Sequence, residues 1–187
     1  DVSEEVVSNC EFLFLEGYLF DKDPGKAAFR KAAERARLTG ARAGISLSDP
    51  FCVDRHRDDF RALVSGPLDF FLCNEEELKS LYQTEDLTAA LACGAEDCEL
   101  VVCTRSSEGV SICKGTKRWD VPVVPVKPVD ATGAGDQFAA GFLYGLVQGL
   151  DLEICGKIGG IAAGEVIGHI GPRPATSILQ MLKSQGI

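Results

Sequence analysis

Four short, nearly continuous runs of apolar residues constrain the fold of this chain more than any other feature of its sequence. The runs are Phe12 to Leu15, Ala43 to Leu47, Asp69 to Cys73 and Leu100 to Thr104. None alternates between apolar and polar residues, and continuous runs of this kind are typical of strands buried on both faces of a sheet. They are separated by segments with helical periodicity. Strands and helices in alternation predict a largely parallel sheet with helices on both faces, a three-layer α/β fold.

Helix signals fill the segments between these runs. A capping residue or a proline opens most of them, and glycine follows one of them directly. The predicted helices are Ser3 to Asn9, Asp23 to about Leu38, about Asp54 to Val64, Glu75 to Leu81 and Leu87 to Cys93.

The pattern changes after Thr104. Two shorter strands are predicted there, Gly109 to Cys113 and Trp119 to Val126, with a polar turn between them. Three helices are predicted to follow, at Gly133 to Gly149, Asp151 to about Ile167 and Ala175 to Ser184. Because no repeat and no linker interrupts the sequence, we expect one α/β domain over residues 1–187.

Composition excludes several classes of protein. The chain has 187 residues, of which 45% are hydrophobic and 25% are charged, and this is close to the average of globular domains. A formal net charge of −9 argues against a nucleic-acid or anionic-membrane partner. No apolar stretch is long enough to span a bilayer.

The eight cysteines lie in apolar segments and form no Cys-x-x-Cys pair. We therefore expect buried, reduced thiols instead of a disulfide framework or a zinc site of paired ligands. This favours a reducing, cytoplasmic location, or an organelle if a targeting segment preceded Asp1.

Polar side chains follow the predicted strands. Glu16, Asp49, Asn74 and Thr104 each stand at or just after a strand end. In parallel sheets, ligands bind outside the carboxyl ends of the strands, so these residues are candidates for a site. Ordinary polar turns would explain them equally well.

The segment DATGAGDQFAAG, Asp130 to Gly141, carries the clearest chemical signal. Gly133, Ala134 and Gly135 stand where a loop becomes a helix, and the free N–H groups of a first helical turn attract an anion such as phosphate. Asp136 lies in that turn, where a carboxylate either complements the helix dipole or accepts a proton from a hydroxyl. The P-loop pattern is absent, and Phe138 breaks the dinucleotide pattern.

This segment resembles the C-terminal signature of the ribokinase-like, phosphofructokinase-B-type carbohydrate kinases. Asn74 to Glu77 is similar to the N-x-x-E motif of that family. Thr104 to Gly109 is similar to its T-x-G-x-x-G loop, with Ser106 where glycine is usual. The segments EGYL, SLSDPFCVDRHR and EVIGHIGPRP most resemble the adenosine-kinase-like branch.

The resemblance implies transfer of the ATP γ-phosphate to a hydroxyl of a nucleoside or sugar. Asp136 would be the general base. Gly133, Ala134 and Gly135 would donate backbone hydrogen bonds to the transferring phosphoryl group.

It also implies cation sites. Asn74 and Glu77 would hold Mg²⁺, mainly through water, although an N-cap with its capping-box partner explains the same pair. Asp130 and Thr132 would lie beside a monovalent cation such as K⁺.

Further roles follow from the same resemblance. Thr104 and Gly109 would lie along the nucleotide, and Arg105 would contact a phosphate unless it is an ordinary solvated arginine. Glu16 and Asp49 are weaker candidates to face the acceptor. His169, beyond the helix that flanks adenine in the family, is equally well explained as a surface or packing residue.

Two matters stay open at this point. A catalytically inactive kinase-like subunit, or a regulatory module that binds nucleotide without turnover, would carry much of the same sequence. Moreover, the resemblance implies that the chain corresponds to the C-terminal part of such kinases, without the N-terminal region and lid that recognise the acceptor. We therefore expect no activity from this chain alone, and neither the acceptor nor the oligomeric state follows from the sequence.

Overall fold

The computed structural model describes residues 3–187. Its six strands are β1 Phe12–Glu16, β2 Arg42–Ser46, β3 Phe70–Asn74, β4 Leu100–Thr104, β5 Val110–Lys114 and β6 Lys117–Val121. Its α-helices are α1 Glu4–Ser8, α2 Asp23–Thr39, α3 Pro50–Val64, α4 Glu75–Tyr82, α5 Leu87–Asp97, α6 Ala134–Val147, α7 Leu152–Ile167 and α8 Ile178–Ser184. Two 3₁₀ turns complete it, Gly17–Asp21 and Ser106–Glu108.

The chain divides into two compact units. The first unit comprises the described residues up to Thr104 together with Cys113–Arg118, and the second comprises Arg105–Ile112 and Trp119–Ile187. The six strands form one sheet in chain order, β1-β2-β3-β4-β5-β6. One domain over residues 1–187 stays a prediction.

Strands β1 to β4 of the first unit are parallel, as predicted. Phe14 pairs with Gly44, Ile45 with Phe71, and Phe71 with Val101. Since successive side chains of a strand point to opposite faces, every second residue of these strands joins one core with the helices. That core includes Leu15, Ala43, Ile45, Phe71 and Val101 from the strands and Ala33, Phe60, Leu78 and Leu91 from the helices.

Helix α3 begins at Pro50, four residues before the predicted start at Asp54. Pro50 occupies the first helical turn, where its missing N–H is no loss, and the Asp49 carboxylate accepts a hydrogen bond from the Cys52 N–H at 2.8 Å. The sequence analysis also missed the 3₁₀ turn at Gly17–Asp21, which carries the chain from β1 to α2.

In the second unit, the prediction that the strand continues to Val126 was wrong, because β6 ends at Val121. Pro122 and Pro125 follow it, and proline has no N–H to donate to a neighbouring strand. The last helix begins at Ile178 instead of Ala175.

Helices α6 and α7 pack closely on each other through glycines. A Cβ atom added at Gly141 would lie 2.8 Å from the Ile158 carbonyl oxygen, and one at Gly145 would lie 2.8 Å from Cys155 Sγ. These two positions therefore exclude any side chain. This packing fixes α6, whose first turn is the anion-site candidate.

Cysteine burial matches the expectation from sequence. Six of the eight cysteines are buried, Cys10 is half-buried and Cys93 is exposed. Among residues 3–187, no helix is long and apolar enough to cross a membrane.

Candidate active site

The first unit gathers polar side chains at the carboxyl ends of β1 and β2. The Ser48 hydroxyl donates a hydrogen bond to the Glu16 carboxylate, and Ser48 holds a left-handed backbone with φ of 77°. Next to it, Asp49 accepts a hydrogen bond from the Tyr18 hydroxyl, and this bond raises the pKa of Tyr18 to about 12. Asp49 also caps α3, so its carboxylate is held from two sides.

At the end of β3, Asn74 and Glu77 form a complete capping box on α4. Asn74 Oδ1 accepts a bond from the Glu77 N–H at 2.8 Å, and a Glu77 carboxylate oxygen accepts one from the Asn74 N–H at 2.9 Å. The side chains also meet directly, since Asn74 Nδ2 donates to the other Glu77 oxygen at 2.7 Å. The capping interpretation of this pair is therefore correct, and it leaves a cation role open.

Glu77 is buried, with 5% of its surface exposed. Burial, and after it the negative charges of Asp49 and Glu16, raise the pKa of the Glu77 carboxyl to about 7. The carboxylates of Asp49 and Glu16 thus act on Glu77 at this edge of the first unit. A cation near Glu77 would offset this repulsion.

Thr104 ends β4, and its hydroxyl donates a hydrogen bond to the Cys73 carbonyl at 3.4 Å. Within the predicted nucleotide loop, Thr104 belongs to the first unit, and Arg105 to Gly109 belong to the second unit.

The loop keeps a glycine-like backbone despite its departure from the family pattern. Ser106 takes a φ of 52°, which is the left-handed region that glycine adopts readily. Gly109 has a φ of 91°, and a Cβ there would lie 2.1 Å from the Val121 carbonyl oxygen. Serine at 106 therefore carries some backbone strain.

Arg105 is half-buried and already engaged. Its guanidinium lies 3.5 Å from an Asp120 carboxylate oxygen and donates to the Glu108 carbonyl at 3.1 Å. Its Nε is buried without a hydrogen-bond partner among the described residues. Most of the guanidinium is nevertheless engaged within the second unit.

The first turn of α6 has the geometry that the sequence indicated. Gly133 is the N-cap residue, with a left-handed φ of 81°, and Asp136 lies in the first turn. A Cβ at Gly135 would meet nothing within 4 Å. The Ala134 N–H donates to the Ala131 carbonyl at 3.2 Å, whereas the side of the turn at Gly135 is open and the exposed Asp136 lies next to it.

Asp130 organises the loop before α6. One carboxylate oxygen accepts bonds from the Thr132 hydroxyl at 2.7 Å and the Thr132 N–H at 3.0 Å, and the other accepts one from the Gly171 N–H at 2.9 Å. These bonds, led by that from the Thr132 hydroxyl, lower the pKa of Asp130 to about 2. Asp130 is thus a permanent anion that joins two loops.

Glu165 on α7 was missed by the sequence analysis. Its carboxylate accepts hydrogen bonds from the N–H groups of Ala175 at 3.0 Å and Thr176 at 2.7 Å, and lies 3.4 Å from His169 Nε2. The His169 pKa is raised, first by a bond to the Ile170 carbonyl and then by Glu165. His169 therefore pairs with Glu165, and Glu165 holds the segment before α8.

A cavity of about 330 Å³ lies within the second unit, between the segment after β6 and helices α7 and α8. Its lining is mainly apolar and includes Val123, Val126, Ile161 and Met181. Gly160 and Gly164 also line it, and a Cβ added at either would lie 3.2 to 3.3 Å from a side-chain carbon of Val123 or Val126. A mainly apolar cavity of this size suits a small apolar group.

The chain is similar to several solved and curated proteins. A probable sugar kinase from Rhizobium etli is 45% identical, with a TM-score of 0.97 over 100% of this chain and 57% of its own. The adenosine kinase of Sinorhizobium meliloti is 43% identical, with a TM-score of 0.96 over 99% of this chain and 57% of its own. The cytidine kinase of Thermococcus kodakarensis is 36% identical over 70% of this chain and 49% of its own.

The chain thus spans about half the length of these relatives. The two solved structures, of the probable sugar kinase and the adenosine kinase, confirm the predicted ribokinase-like α/β fold and the likeness to the adenosine-kinase-like branch. The model of the pfkB family carbohydrate kinases matches residues 1–178. This chain belongs to the pfkB family of carbohydrate kinases.

Proposed function

We propose that the protein transfers the γ-phosphate of ATP to a hydroxyl of a nucleoside. The observation that carries this proposal is the first turn of α6, where a left-handed Gly133 and an open Gly135 precede an exposed carboxylate, Asp136. A phosphate site and a proton acceptor within four residues are what phosphoryl transfer to an alcohol requires.

Asp136 is the proposed general base. Its carboxylate accepts the proton of the acceptor hydroxyl as the oxygen attacks phosphorus. The acceptor hydroxyl becomes more acidic as its oxygen attacks phosphorus, so a carboxylate held beside it can accept the proton.

Gly133, Ala134 and Gly135 are proposed to stabilise the transferring group. Negative charge is spread over the phosphoryl oxygens in the transition state, and fixed N–H donors with the helix dipole oppose it at no cost of reorganisation. Loss of one such donor typically costs about 3 kcal/mol of activation free energy.

Asn74 and Glu77 are the proposed Mg²⁺ residues. All their side-chain polar atoms already bond within the capping box, so they fit an ion held through its own waters better than one bound directly. The ion would neutralise phosphate charge of ATP. Asp130 and Thr132 are proposed for a monovalent cation, since their oxygens are fixed beside the loop that precedes α6.

The cavity of the second unit is the proposed place of the adenine base. Its mainly apolar lining suits a planar heterocycle, whereas a free sugar would leave its hydroxyls without partners there. Thr104, Arg105 and Gly109 are proposed to lie along the phosphates.

A nucleoside acceptor is supported by relatives named adenosine kinase and cytidine kinase, while the probable sugar kinase keeps a furanose sugar as the alternative. Glu16 and Asp49 are proposed to accept hydrogen bonds from acceptor hydroxyls, since carboxylates at strand ends suit that role.

The test compares Asp136→Asn with Asp151→Asn, an exposed aspartate that precedes α7 in the same unit. ADP release would be measured for the protein at its full natural length with adenosine, cytidine and ribose. We expect Asp136→Asn to lower kcat at least 100-fold with little change in ATP affinity, and Asp151→Asn to match the wild type. Unchanged turnover in Asp136→Asn would refute the base. ATP binding without turnover of any acceptor by the wild type would favour an inactive, nucleotide-binding subunit.

A second experiment tests the adenine site. Ile161→Trp would fill the cavity and weaken ATP binding at least tenfold, whereas Leu179→Trp, on exposed surface of α8, would leave it unchanged. Equal ATP affinity in both variants would place the base elsewhere. Calorimetric titration of each variant with a non-hydrolysable ATP analogue measures this.

A further inference from the structure

A cluster of three different metal-ligand side chains lies in the first unit, apart from the capping box on α4. Asp21 ends the 3₁₀ turn after β1, and Cys52 and His56 stand four residues apart on α3. One ligand atom from each of the three lies within 4.8 Å of the other two. His56 Nε2 and Asp21 Oδ1 are 2.9 Å apart.

The cluster is sheltered on one side and open on the other. Cys52 is fully buried, and 13% of the His56 side chain is exposed. The rings of Phe20 and Phe60 lie 6.0 and 6.2 Å from the His56 ring, centroid to centroid. Asp21 is 36% exposed, so an ion could enter past its carboxylate.

We propose that Asp21, Cys52 and His56 bind one divalent transition-metal ion of the zinc and cobalt class. Thiol sulfur, imidazole nitrogen and carboxylate oxygen together form a donor set for ions of intermediate softness. Mg²⁺ and Ca²⁺ prefer oxygen alone and are excluded by this set. Three protein ligands leave the fourth tetrahedral position for water.

The geometry needs only a small adjustment. Metal–ligand distances of about 2.0 to 2.3 Å place tetrahedral ligand atoms about 3.3 to 3.8 Å apart. His56 Nε2 and Asp21 Oδ1 would therefore separate by a few tenths of an ångström. Two ligand atoms of the cluster that lie 4.8 Å apart would have to approach each other by about 1 Å, and a side-chain rotation provides this movement.

Arg55 competes for Asp21 but also positions it. Its guanidinium donates to Oδ1 at 3.0 and 3.1 Å and to Oδ2 at 3.0 Å. On metal binding, Oδ1 turns to the ion while Oδ2 keeps the arginine, which is the usual way in which a partner orients a metal-ligating carboxylate.

The local charge favours a cation. Three carboxylates act on Cys52, those of Asp21, Asp49 and Glu16, against the single guanidinium of Arg55. The ion would fasten the segment that follows β1 to the helix that follows β2. Its site is independent of phosphoryl transfer, since it shares no residue with the proposed catalytic groups.

The test uses Co²⁺ as a spectroscopic probe on reduced, chelator-stripped protein. Binding through a thiolate produces a charge-transfer absorption in the near ultraviolet. We expect one equivalent of Co²⁺ to produce this band, Zn²⁺ to abolish it by displacement, and a large excess of Mg²⁺ to leave it unchanged. X-ray absorption of the zinc form of the wild type should show one sulfur ligand among nitrogen and oxygen ligands.

Variants assign the ligands. Cys52→Ser and His56→Gln should each weaken Co²⁺ binding at least about tenfold, and Cys52→Ser should also remove the band. Cys93→Ser changes an exposed thiol outside the cluster and should keep both. Absence of the band at one equivalent, its persistence in Cys52→Ser, or a zinc form without sulfur would overturn the proposal. The wild-type absorption data decide the matter even where a variant fails to fold.

Discussion

Asn74 and Glu77 bind each other through three hydrogen bonds of 2.7 to 2.9 Å, two of them between a side chain and a backbone N–H. The pair closes the N-terminus of α4 and holds a buried carboxyl group at the end of β3. One motif therefore has a structural role that is visible in the hydrogen bonds and a proposed cation role that depends on the same atoms. Experiments can separate the two roles.

Replacement of Asn74 by alanine tests both roles against a matched cap. Asp86 caps α5 in the same way, by accepting bonds from Thr88 at 2.8 Å and Ala89 at 3.3 Å. Asn74→Ala and Asp86→Ala should each lower the free energy of unfolding by about 1 kcal/mol, measured in urea. Only Asn74→Ala should also weaken Mg²⁺-dependent ATP binding. Equal ATP binding in the two variants would leave Asn74 as a cap alone.

The buried carboxyl of Glu77 predicts a pH dependence of stability in the metal-free chain. Its pKa is about 7 in the folded state against 4.5 for an unperturbed glutamate. Between these pH values the folded state retains a proton that the unfolded state has lost, so stability falls as pH rises from about 4.5 to 7, by about 3 kcal/mol in total.

Urea unfolding at pH 5 and pH 7.5 in the presence of a chelator measures this difference. Glu77→Gln cannot ionise and should lose most of the dependence. Glu75→Gln, on the same helix but paired with Lys79 at the surface, should retain it. A Glu77→Gln profile identical to that of the wild type would show that other groups cause the dependence.

The sequence predicted the order and type of nearly all elements, because continuous apolar runs and helix caps are local signals. Ends were missed where a second signal competed. Asp49 and Pro50 start α3 early, and Pro122 stops β6 although valines continue beyond it. Apolar character alone does not show whether a segment can donate the hydrogen bonds of a strand.

Site residues within one motif were predictable, and contacts between distant segments were not. The capping box and the first turn of α6 each lie within four residues. By contrast, Glu165 meets Ala175 and Thr176 only because the chain reverses after α7. The sequence analysis expected no zinc site from Cys52 and His56, and Asp21 joins these two residues only through the fold.

Glu165 should stabilise the segment before α8. Glu165→Ala removes the acceptor of two backbone N–H groups, which typically costs about 1 to 3 kcal/mol. Amide hydrogen exchange at Ala175 and Thr176 should accelerate at least tenfold. Glu153→Ala, which breaks only an exposed pair with Lys157, should leave exchange at these amides unchanged. Slow exchange in Glu165→Ala would mean that other contacts hold the segment.

Alanine substitutions at Gly133 and Gly135 test two different properties of the first turn of α6, its backbone conformation and its access to a ligand. Gly133 needs its left-handed backbone, and a Cβ there would lie 2.7 Å from Pro172 Cβ. Gly133→Ala should therefore destabilise the protein by about 2 kcal/mol or more in urea unfolding, through strain and overlap together. A fully stable Gly133→Ala variant would show that the loop before α6 can shift to relieve both.

Gly135→Ala should leave stability intact and lower activity. Its Cβ meets nothing within 4 Å, and alanine favours helix over glycine, so stability should stay the same or rise by up to about 1 kcal/mol. The added methyl group nevertheless covers backbone N–H groups that are proposed to receive the phosphoryl group, so kcat should fall at least tenfold. Ala140→Gly is the control, because Ala140 lies on the exposed side of α6 and its replacement changes helix propensity without touching the first turn. Gly149→Ala is unsuitable as a control, because Gly149 has a left-handed φ of 69°. If Gly135→Ala is stable and fully active, the open first turn of α6 does not bind the transferring phosphate.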